Sequence, residues 1–250
     1  MKVQWDYSER AATYAKRPDY AQGAIDAIVA QAGVGPGDSA CDVGAGSGHL
    51  TEPLLRRGLH VSAVEPNAPM AEVGKARTAA YDNVRWFTGQ GEATGMADHA
   101  FDLVTFGSSF NVADRMLALK ETARILKPGH WFACIWNHRD LDDPLQRRIE
   151  ELIHAHVPGY QLGVRREDQA PVIRESGLFD EPVTLDFPVN HDTDRDEWCD
   201  AWLSHATLAR QAGDKMARVV EDIRALVAGE SGPVLSVPYR TRGWMAQLKA

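Results

Sequence analysis

The feature that most constrains this chain is the run Asp42-Val43-Gly44-Ala45-Gly46-Ser47-Gly48-His49. An apolar stretch, Ser39-Ala40-Cys41-Asp42-Val43, enters it, and a helical pattern from His49 to Arg57 leaves it. The stretch is short and mostly apolar, as a strand buried on both faces should be. Strand, glycine loop, helix is the expected local structure. Glycine at 44, 46 and 48 lets the backbone take positive φ and lets a ligand approach the main chain with no Cβ in the way. In a doubly wound sheet such a loop lies at the carboxyl end of the first strand, where ligands bind. The helix that follows directs backbone N–H groups toward them.

Spacing narrows the ligand. A dinucleotide fingerprint reads G-x-G-x-x-G, whereas here the third glycine comes one residue early and an acid stands two places before the first. This D-x-G-x-G-x-G pattern resembles the first motif of class I methyltransferases that use S-adenosylmethionine (SAM). The resemblance implies that Asp42, Gly44, Ala45, Gly46 and Gly48 contribute to a cofactor site. The loop alone leaves open a tight turn with no ligand, and a nicotinamide or flavin site.

A second acid supports the ligand reading. Leu59-His60-Val61-Ser62-Ala63-Val64-Glu65 reads as a strand closing on a carboxylate, 17 residues beyond Gly48. A carboxylate there accepts both hydroxyls of an adenosine ribose in dinucleotide folds, and the resemblance implies the same for SAM. The alternative is an acid that simply faces solvent. Pro66 and Asn67 turn the chain into a helix carrying Met70, a residue that in the resembled family packs near the adenine.

Composition sets outer limits. At 250 residues and 44 % hydrophobic content, the chain has the size and make-up of a soluble globular protein, with no run of about eighteen apolar residues to span a membrane. The start lacks the apolar core of a secretory signal, and the three cysteines, 41, 134 and 199, form no metal-ligand spacing. A cytoplasmic protein with reduced thiols and no metal is the expectation. A formal charge of −8 with no basic block argues against a dominant electrostatic grip on nucleic acid.

Before the core, Tyr14-Ala15-Lys16-Arg17-Pro18-Asp19-Tyr20, which reads Y-x-x-RP-x-Y, resembles the segment that precedes it in one broad group of these enzymes. The resemblance implies two short helices folded over the cofactor, with Tyr14 and Arg17 meeting its methionine end. After the second strand, Val84–Gln90 reads as a third, followed by Gly89-Gln90-Gly91-Glu92-Ala93 where the family carries G-D-A-E. Gln90 then stands where an aspartate accepts the adenine amino group, a role its amide carbonyl can also fill. Gly91 and Glu92 flank the same ring.

Phe101-Asp102-Leu103-Val104-Thr105-Phe106-Gly107 is the clearest buried strand, and F-D-L-V is the family's fourth-strand motif. Asp102, at its start, is expected to be structural. Gly107, Ser108 and Asn111 follow its carboxyl end and can line the crevice, Asn111 replacing a histidine found in relatives. Met116, Leu119, Ala123 and Leu126 mark the buried face of a helix that Lys127-Pro128-Gly129 ends. A fifth strand over 130–136 leads to Asn137-His138-Arg139-Asp140, the polar cluster best placed for substrate.

The remainder reads as a helix over 144–156, a short helix ending at Gly177, a strand over 182–189, helices over 194–212 and 214–228, and a last strand over 234–244. Trp198, Trp202, His205 and Leu208 recur at helical spacing, as packing or as a substrate wall. Together these features predict a doubly wound, seven-stranded, mostly parallel α/β sheet in one methyltransferase domain over residues 1–250. Within it, 1–37 would form an N-terminal helical cap, 38–137 the SAM-binding core, and 138–250 the substrate side with a helical lid inserted between the last two strands.

The resemblance implies methyl transfer from SAM, leaving S-adenosylhomocysteine, to an oxygen, nitrogen or carbon of a small-molecule acceptor, with specialised metabolism as one setting. Substrate residues are expected at Asn111, Trp136, Asn137, His138 and Trp202. Candidate bases are His138, His205 and His154. Methylation of tRNA or protein is the alternative activity, and a non-catalytic SAM- or nucleotide-binding regulator the alternative class. Neither the acceptor nor the oligomeric state is legible.

Overall fold

The computed structural model describes residues 17–229 and 232–249. Its elements are α1 (Gln22–Ala32), β1 (Ser39–Val43), α2 (Thr51–Arg56), β2 (His60–Val64), α3 (Ala68–Arg77), β3 (Val84–Phe87), β4 (Phe101–Gly107), α4 (Arg115–Ile125) and β5 (Leu126–Arg139). They continue as α5 (Pro144–His156), α6 (Ala170–Ser176), β6 (Val183–Asp194), α7 (Arg195–Ala201), α8 (Ala206–Ala212), α9 (Met216–Val227) and β7 (Val234–Gln247), with short 3₁₀ turns between some of them. Tyr14 and most of the aminoterminal helical segment expected from the sequence lie outside the described residues.

The seven strands run in the order β3-β2-β1-β4-β5-β7-β6. The pairs β1–β2, β1–β4, β2–β3 and β4–β5 are parallel, so the carboxyl ends of β1 to β5 lie along one edge. Chain order reverses between β1 and β4. That is the switch point at which doubly wound sheets hold their ligands.

The chain divides into two compact units. The first comprises residues up to Asn137, Asp168–Phe187, and the chain from Thr241 on. Its strands alternate side chains between two apolar clusters, as a period of two requires. Cys41, Val43, Val104, Phe106, Phe132, Cys134 and Trp136 enter one cluster, where α4 and α6 pack. Ala40, Leu103, Ala133 and Ile135 enter the other, with Ile25, Ile28 and Leu54 from α1 and α2. Burial on both faces is why β4 is mostly apolar, with Asp102 and Thr105 its polar exceptions. Phe106, Phe110 and Phe132 meet edge-on or tilted at centroid distances of 5.4–5.7 Å, and Phe179 joins Phe132 at 5.6 Å.

The second unit, His138–Glu167 and Pro188–Arg240, has its own core. Ile149 and Ile153 of α5, Trp198 and Cys199 of α7, Leu208 of α8, and Val219, Val220, Ile223 and Val227 of α9 form it with Trp202, Tyr160, Leu235 and Val237. The Trp198, Trp202 and Leu208 stripe is thus packing. All three cysteines are free and buried.

Several boundaries differ from those the sequence suggests. The helix over 194–212 breaks into α7 and α8 because His205 starts a new helix, its Nδ1 accepting the Leu208 amide at 3.2 Å. β6 runs on to Asp194, its inward positions continuing through the polar residues 190–194 that hide the alternation. Leu119 and Leu126 are buried as expected and Ala123 packs partly against the same core, while Ala118, Thr122 and Ile125 complete the buried face of α4 and Met116 is only half-buried. The helix after the glycine loop starts at Thr51.

Phe132 touches three other phenylalanines in a fully buried position, so Phe132→Ala should lower unfolding free energy by about 3–5 kcal/mol in urea titration. A loss below ~1 kcal/mol would mean that the aromatic cluster adds little.

Candidate functional site

At the switch point the glycine loop is held from three sides. The amides of Gly44 and Ala45 both donate to the Val64 carbonyl at the end of β2, at 2.8 and 3.0 Å. The Gly46 amide donates to Glu65 Oε2 at 2.8 Å, and the Gly48 amide to the Ala45 carbonyl at 2.9 Å. Across the switch point, Ser109 donates its hydroxyl to the Val43 carbonyl at 2.6 Å. A Cβ on Gly44 would lie 2.5 Å from that of Ser109, so only glycine fits there. Gly46 has φ +53°, and Met70 Cε lies 3.2 Å from where its Cβ would be.

Four loop amides are therefore used inside the protein. What the loop offers is main-chain surface without side chains.

Glu65 is the acid next to that surface. Its Oε1 accepts the Asn67 amide at 2.8 Å while Oε2 holds Gly46. Each carboxylate oxygen has a second lone pair, so two acceptor sites are left for ligand hydroxyls. Burial raises the Glu65 pKa, and the two amide bonds work against that rise. Met70 is buried against the loop at the start of α3, whose first turn Asn67 caps through a 3.1 Å bond to the Met70 amide. Pro66 is exposed beside it.

Asp42 lies beneath the loop, 1 % exposed. It accepts the Thr51 hydroxyl at 2.6 Å and the Thr105 hydroxyl at 3.1 Å. Its part is to tie β1 to α2 and β4, in place of the direct cofactor contact expected. Burial pushes its pKa up to about 6, the threonine bonds opposing and the Glu65 charge adding to the rise.

After β4, Gly107 is tightly enclosed, since a Cβ there would lie 3.0 Å from Leu50 Cβ and 3.1 Å from the Tyr20 hydroxyl. Ser108 takes φ +59°, unusual for a side-chain-bearing residue, and its Oγ lies 2.9 Å from the Tyr20 hydroxyl. Such outliers gather at ligand sites. On the β3 side, Gln90 is exposed and exchanges backbone hydrogen bonds of 3.1 and 3.0 Å with Ala93 around Gly91. Glu92 accepts the Asp114 amide at 2.8 Å, so its carboxylate helps fix this turn to α4.

Of the substrate residues expected in the first unit, the polar atoms serve the fold. Trp136 is fully buried, donates its indole N–H to Asn111 Oδ1 at 2.8 Å and meets Trp244 edge-on. Asn137 donates to the Pro18 and Asp19 carbonyls at 3.0 and 2.9 Å and accepts the Thr241 hydroxyl at 2.6 Å. Thr241 in turn accepts the Ala21 amide at 2.8 Å. The network binds residues 18–21 to the end of β5, which an asparagine can do because it carries donors and an acceptor together. As expected, Asp102 is structural. Burial works to raise its pKa, but bonds from Lys127 and Ser39 hold it at about 2.

In the second unit His138 is buried. Trp202 is 4 % exposed, stacked on His205 at 5.3 Å with Arg139 over its ring, so neither a substrate wall nor a free base is formed there. His205 Nδ1 is committed to its helix cap.

Three residues near the loop were not singled out in the sequence. Tyr20 was hidden as the last letter of the Y-x-x-RP-x-Y segment. His49 follows Gly48, and its ring bridges Ser47 Oγ at 2.8 Å and the Arg17 carbonyl at 3.2 Å. Burial, reinforced by the Arg77 charge, lowers its pKa to about 4, so it is neutral at pH 7. Gly74 in α3 would place a Cβ 2.7 Å from the Gly46 carbonyl, so helix and loop meet through backbone. Arg17 itself is exposed.

The comparisons with known proteins agree with this geometry. Residues 41–134 match the family model described as a methyltransferase domain. The core has the class I methyltransferase fold. An uncharacterized methyltransferase of Mycobacterium tuberculosis is 34 % identical over 137 residues, 55 % of this chain and 54 % of that protein. The demethylmenaquinone methyltransferase of Staphylococcus aureus is 36 % identical over 112 residues, 43 % of this chain and 46 % of that one. The chain thus spans about half the length of the curated relatives it matches. Among solved structures, the YcgJ protein of Bacillus subtilis aligns with TM-score 0.57 and 17 % identity over 92 % of this chain and 100 % of that one. Phosphoethanolamine N-methyltransferase 2 of Haemonchus contortus, in complex with phosphomonomethylethanolamine and S-adenosylhomocysteine, aligns with TM-score 0.57 and 14 % identity over 97 % of this chain and 58 % of that one. In the methyltransferase fold the glycine loop is the segment after β1, where this chain concentrates its backbone approaches.

The raised pKa of Asp42 has a consequence for stability. Between pH ~4 and about 6 the folded chain holds a proton that the unfolded chain has released. Asp42 therefore contributes stability at pH 4 that is lost as pH rises through 6. Asp42→Asn removes this dependence, so the gap between variant and wild-type unfolding free energies should change by on the order of 2 kcal/mol from pH 4 to 7. Urea unfolding across that range measures it, and a constant gap would contradict the protonation.

Proposed function

We propose that this chain is a SAM-dependent methyltransferase acting on a small-molecule acceptor. The observation that carries the reading is the pairing of Glu65 with a loop whose amides are already used. Gly44, Ala45, Gly46 and Gly48 all donate inside the protein, which leaves those four amides unable to cradle a pyrophosphate, the group that a dinucleotide site must hold. A nucleoside without phosphates needs only acceptors for its ribose and a flat approach to the backbone. Glu65 and the glycine surface supply both.

SAM when bound supplies a methyl group activated by its sulfonium. In this reading Glu65 holds the ribose, Gly44 to Gly48 give the close approach, and Met70 lies along the adenosine. Gln90 and Gly91 face the adenine edge, Gly107 and Ser108 close the opposite side, and Arg17 reaches the methionine end. The chain's remaining task is to orient an acceptor and keep water out, which supplies most of the rate advantage in such transfers. A hydroxyl or protonated amine acceptor also needs a base. With His205 committed to a cap and His154 exposed and edge-on to Tyr160, His138 is the proposed one.

Calorimetric titration with S-adenosylhomocysteine tests the cofactor half. The wild-type chain should bind it and should not bind NADH. Glu65→Gln places an amide donor against a backbone N–H and should weaken binding by about 1–3 kcal/mol. Gly46→Val, β-branched at positive φ and pressed on Met70, should abolish it in a chain that still unfolds cooperatively. Binding of NADH instead, or full affinity in both variants, would overturn the reading.

A further inference from the structure

The second unit contains a cluster of cationic and hydrogen-bond-donating groups that its own acceptors do not satisfy. Arg139, at the end of β5, has a side chain 9 % exposed and pairs with Glu150 of α5, itself 11 % exposed. Its guanidinium also donates to Gln146 Oε1 at 3.0 Å and lies 4.3 Å from the centre of the Trp202 ring. One anion and one aromatic face thus pair directly with Arg139.

Arg166 comes from the 3₁₀ turn Val164–Arg166 and joins the same cluster, donating to the Arg139 carbonyl at 2.9 Å. It has no carboxylate within ion-pair distance among the described residues. A guanidinium carries five N–H donors, and a carbonyl takes up only a small part of that capacity. Burial, with the charges of Arg139 and Arg165, lowers the Arg166 pKa to about 10, so its positive charge is held at a cost.

Two further donors end here without acceptors. The Tyr160 hydroxyl has no hydrogen-bond partner among the described residues, although Tyr160 is 3 % exposed. Tyr160 packs in the same buried cluster as Trp202, the ring over which Arg139 lies, and the charges of Glu150, Arg139, Arg165 and Arg166 all act on its ionisation. The amide nitrogen of Gln146, 0 % exposed, is likewise unpartnered. Leaving a buried donor unmet costs about 1–3 kcal/mol, and a buried charge more. An arrangement built only for stability would have matched Arg166 with a second acid or replaced it with an apolar residue.

We propose that Arg166, Arg139, Tyr160 and Gln146 form a subsite for an oxyanion, the carboxylate or phosphate of the methyl acceptor. Either group supplies several acceptor lone pairs and the missing negative charge, and the planar guanidinium fork suits both. Arg166 is only partly buried, so the anion has access to it. That the anion belongs to the acceptor rests on the methyltransferase reading. The subsite itself does not, because every residue in it lies within the second unit.

Titration of the intact chain with inorganic phosphate, and separately with acetate and malonate, followed by calorimetry at low ionic strength, tests the subsite without cofactor. Saturable binding of at least one of them is expected, and the arm that saturates identifies phosphate or carboxylate chemistry. Arg166→Gln should weaken it by about tenfold or more and Tyr160→Phe by several-fold, with S-adenosylhomocysteine affinity unchanged. Tyr160→Phe keeps the ring in its packed position, so it reports on the hydroxyl even if Arg166→Gln fails to fold. No saturable binding of any probe, or binding that neither variant alters, would overturn the subsite. Oxyanion binding in a chain that ignores S-adenosylhomocysteine would leave the subsite standing and remove its assignment to a methyl acceptor.

Discussion

The hydrogen bond from the Gly46 amide to Glu65 is the interaction on which the site depends. It joins the end of β2 to the loop after β1, across two strands that are already parallel neighbours. Because Glu65 holds Asn67 with its other oxygen, the same carboxylate also sets the start of α3, from which Met70 returns to cover the loop. One acid therefore fixes the backbone on either side of it and still has acceptor sites left. Replacing it would disturb the shape of the cradle as well as remove a ligand contact.

Beneath that bond, Asp42 does for the strands what Glu65 does for the loop. A carboxylate at 1 % exposure would be costly by itself, and the Thr51 and Thr105 hydroxyls offset only part of that cost, which is why its pKa stays high. The Glu65 charge adds to that rise. The loop between the two acids is thus supported by groups whose proton affinity depends on burial, which ties site geometry to folding.

Much of this was legible in the sequence, and the exceptions have physical causes. The glycine loop, the acid at 65 and the F-D-L-V strand could be read because backbone approach and two-sided burial restrict residue type strongly. The structural role of Asp102 followed from its position at a strand start. Asn111, Trp136 and Asn137 misled because polar and aromatic residues at a strand's carboxyl end look the same whether they meet a substrate or a neighbouring segment. Only the partners decide, and for Asn137 those partners are residues 18, 19 and 241, more than a hundred positions away in each case. His205 misled in the same way, since a helix cap and a base use the same nitrogen. Arg139 stood in the polar run 137–140 read as substrate-facing, but its pairing with Arg166 carried no sequence signal, because two arginines 27 positions apart acquire meaning only when the fold brings one carboxylate to them and not two.

The most direct measurement is a crystal structure of the chain grown with S-adenosylhomocysteine. Both ribose hydroxyls should lie within hydrogen-bond distance of Glu65, with the Gly46 amide still bound to Oε2 and the ligand resting on the backbone of residues 44–48. A ligand seated elsewhere, or one that makes its contacts through loop amides released from Val64 and Glu65, would contradict the central claim that this loop binds by shape and Glu65 by charge.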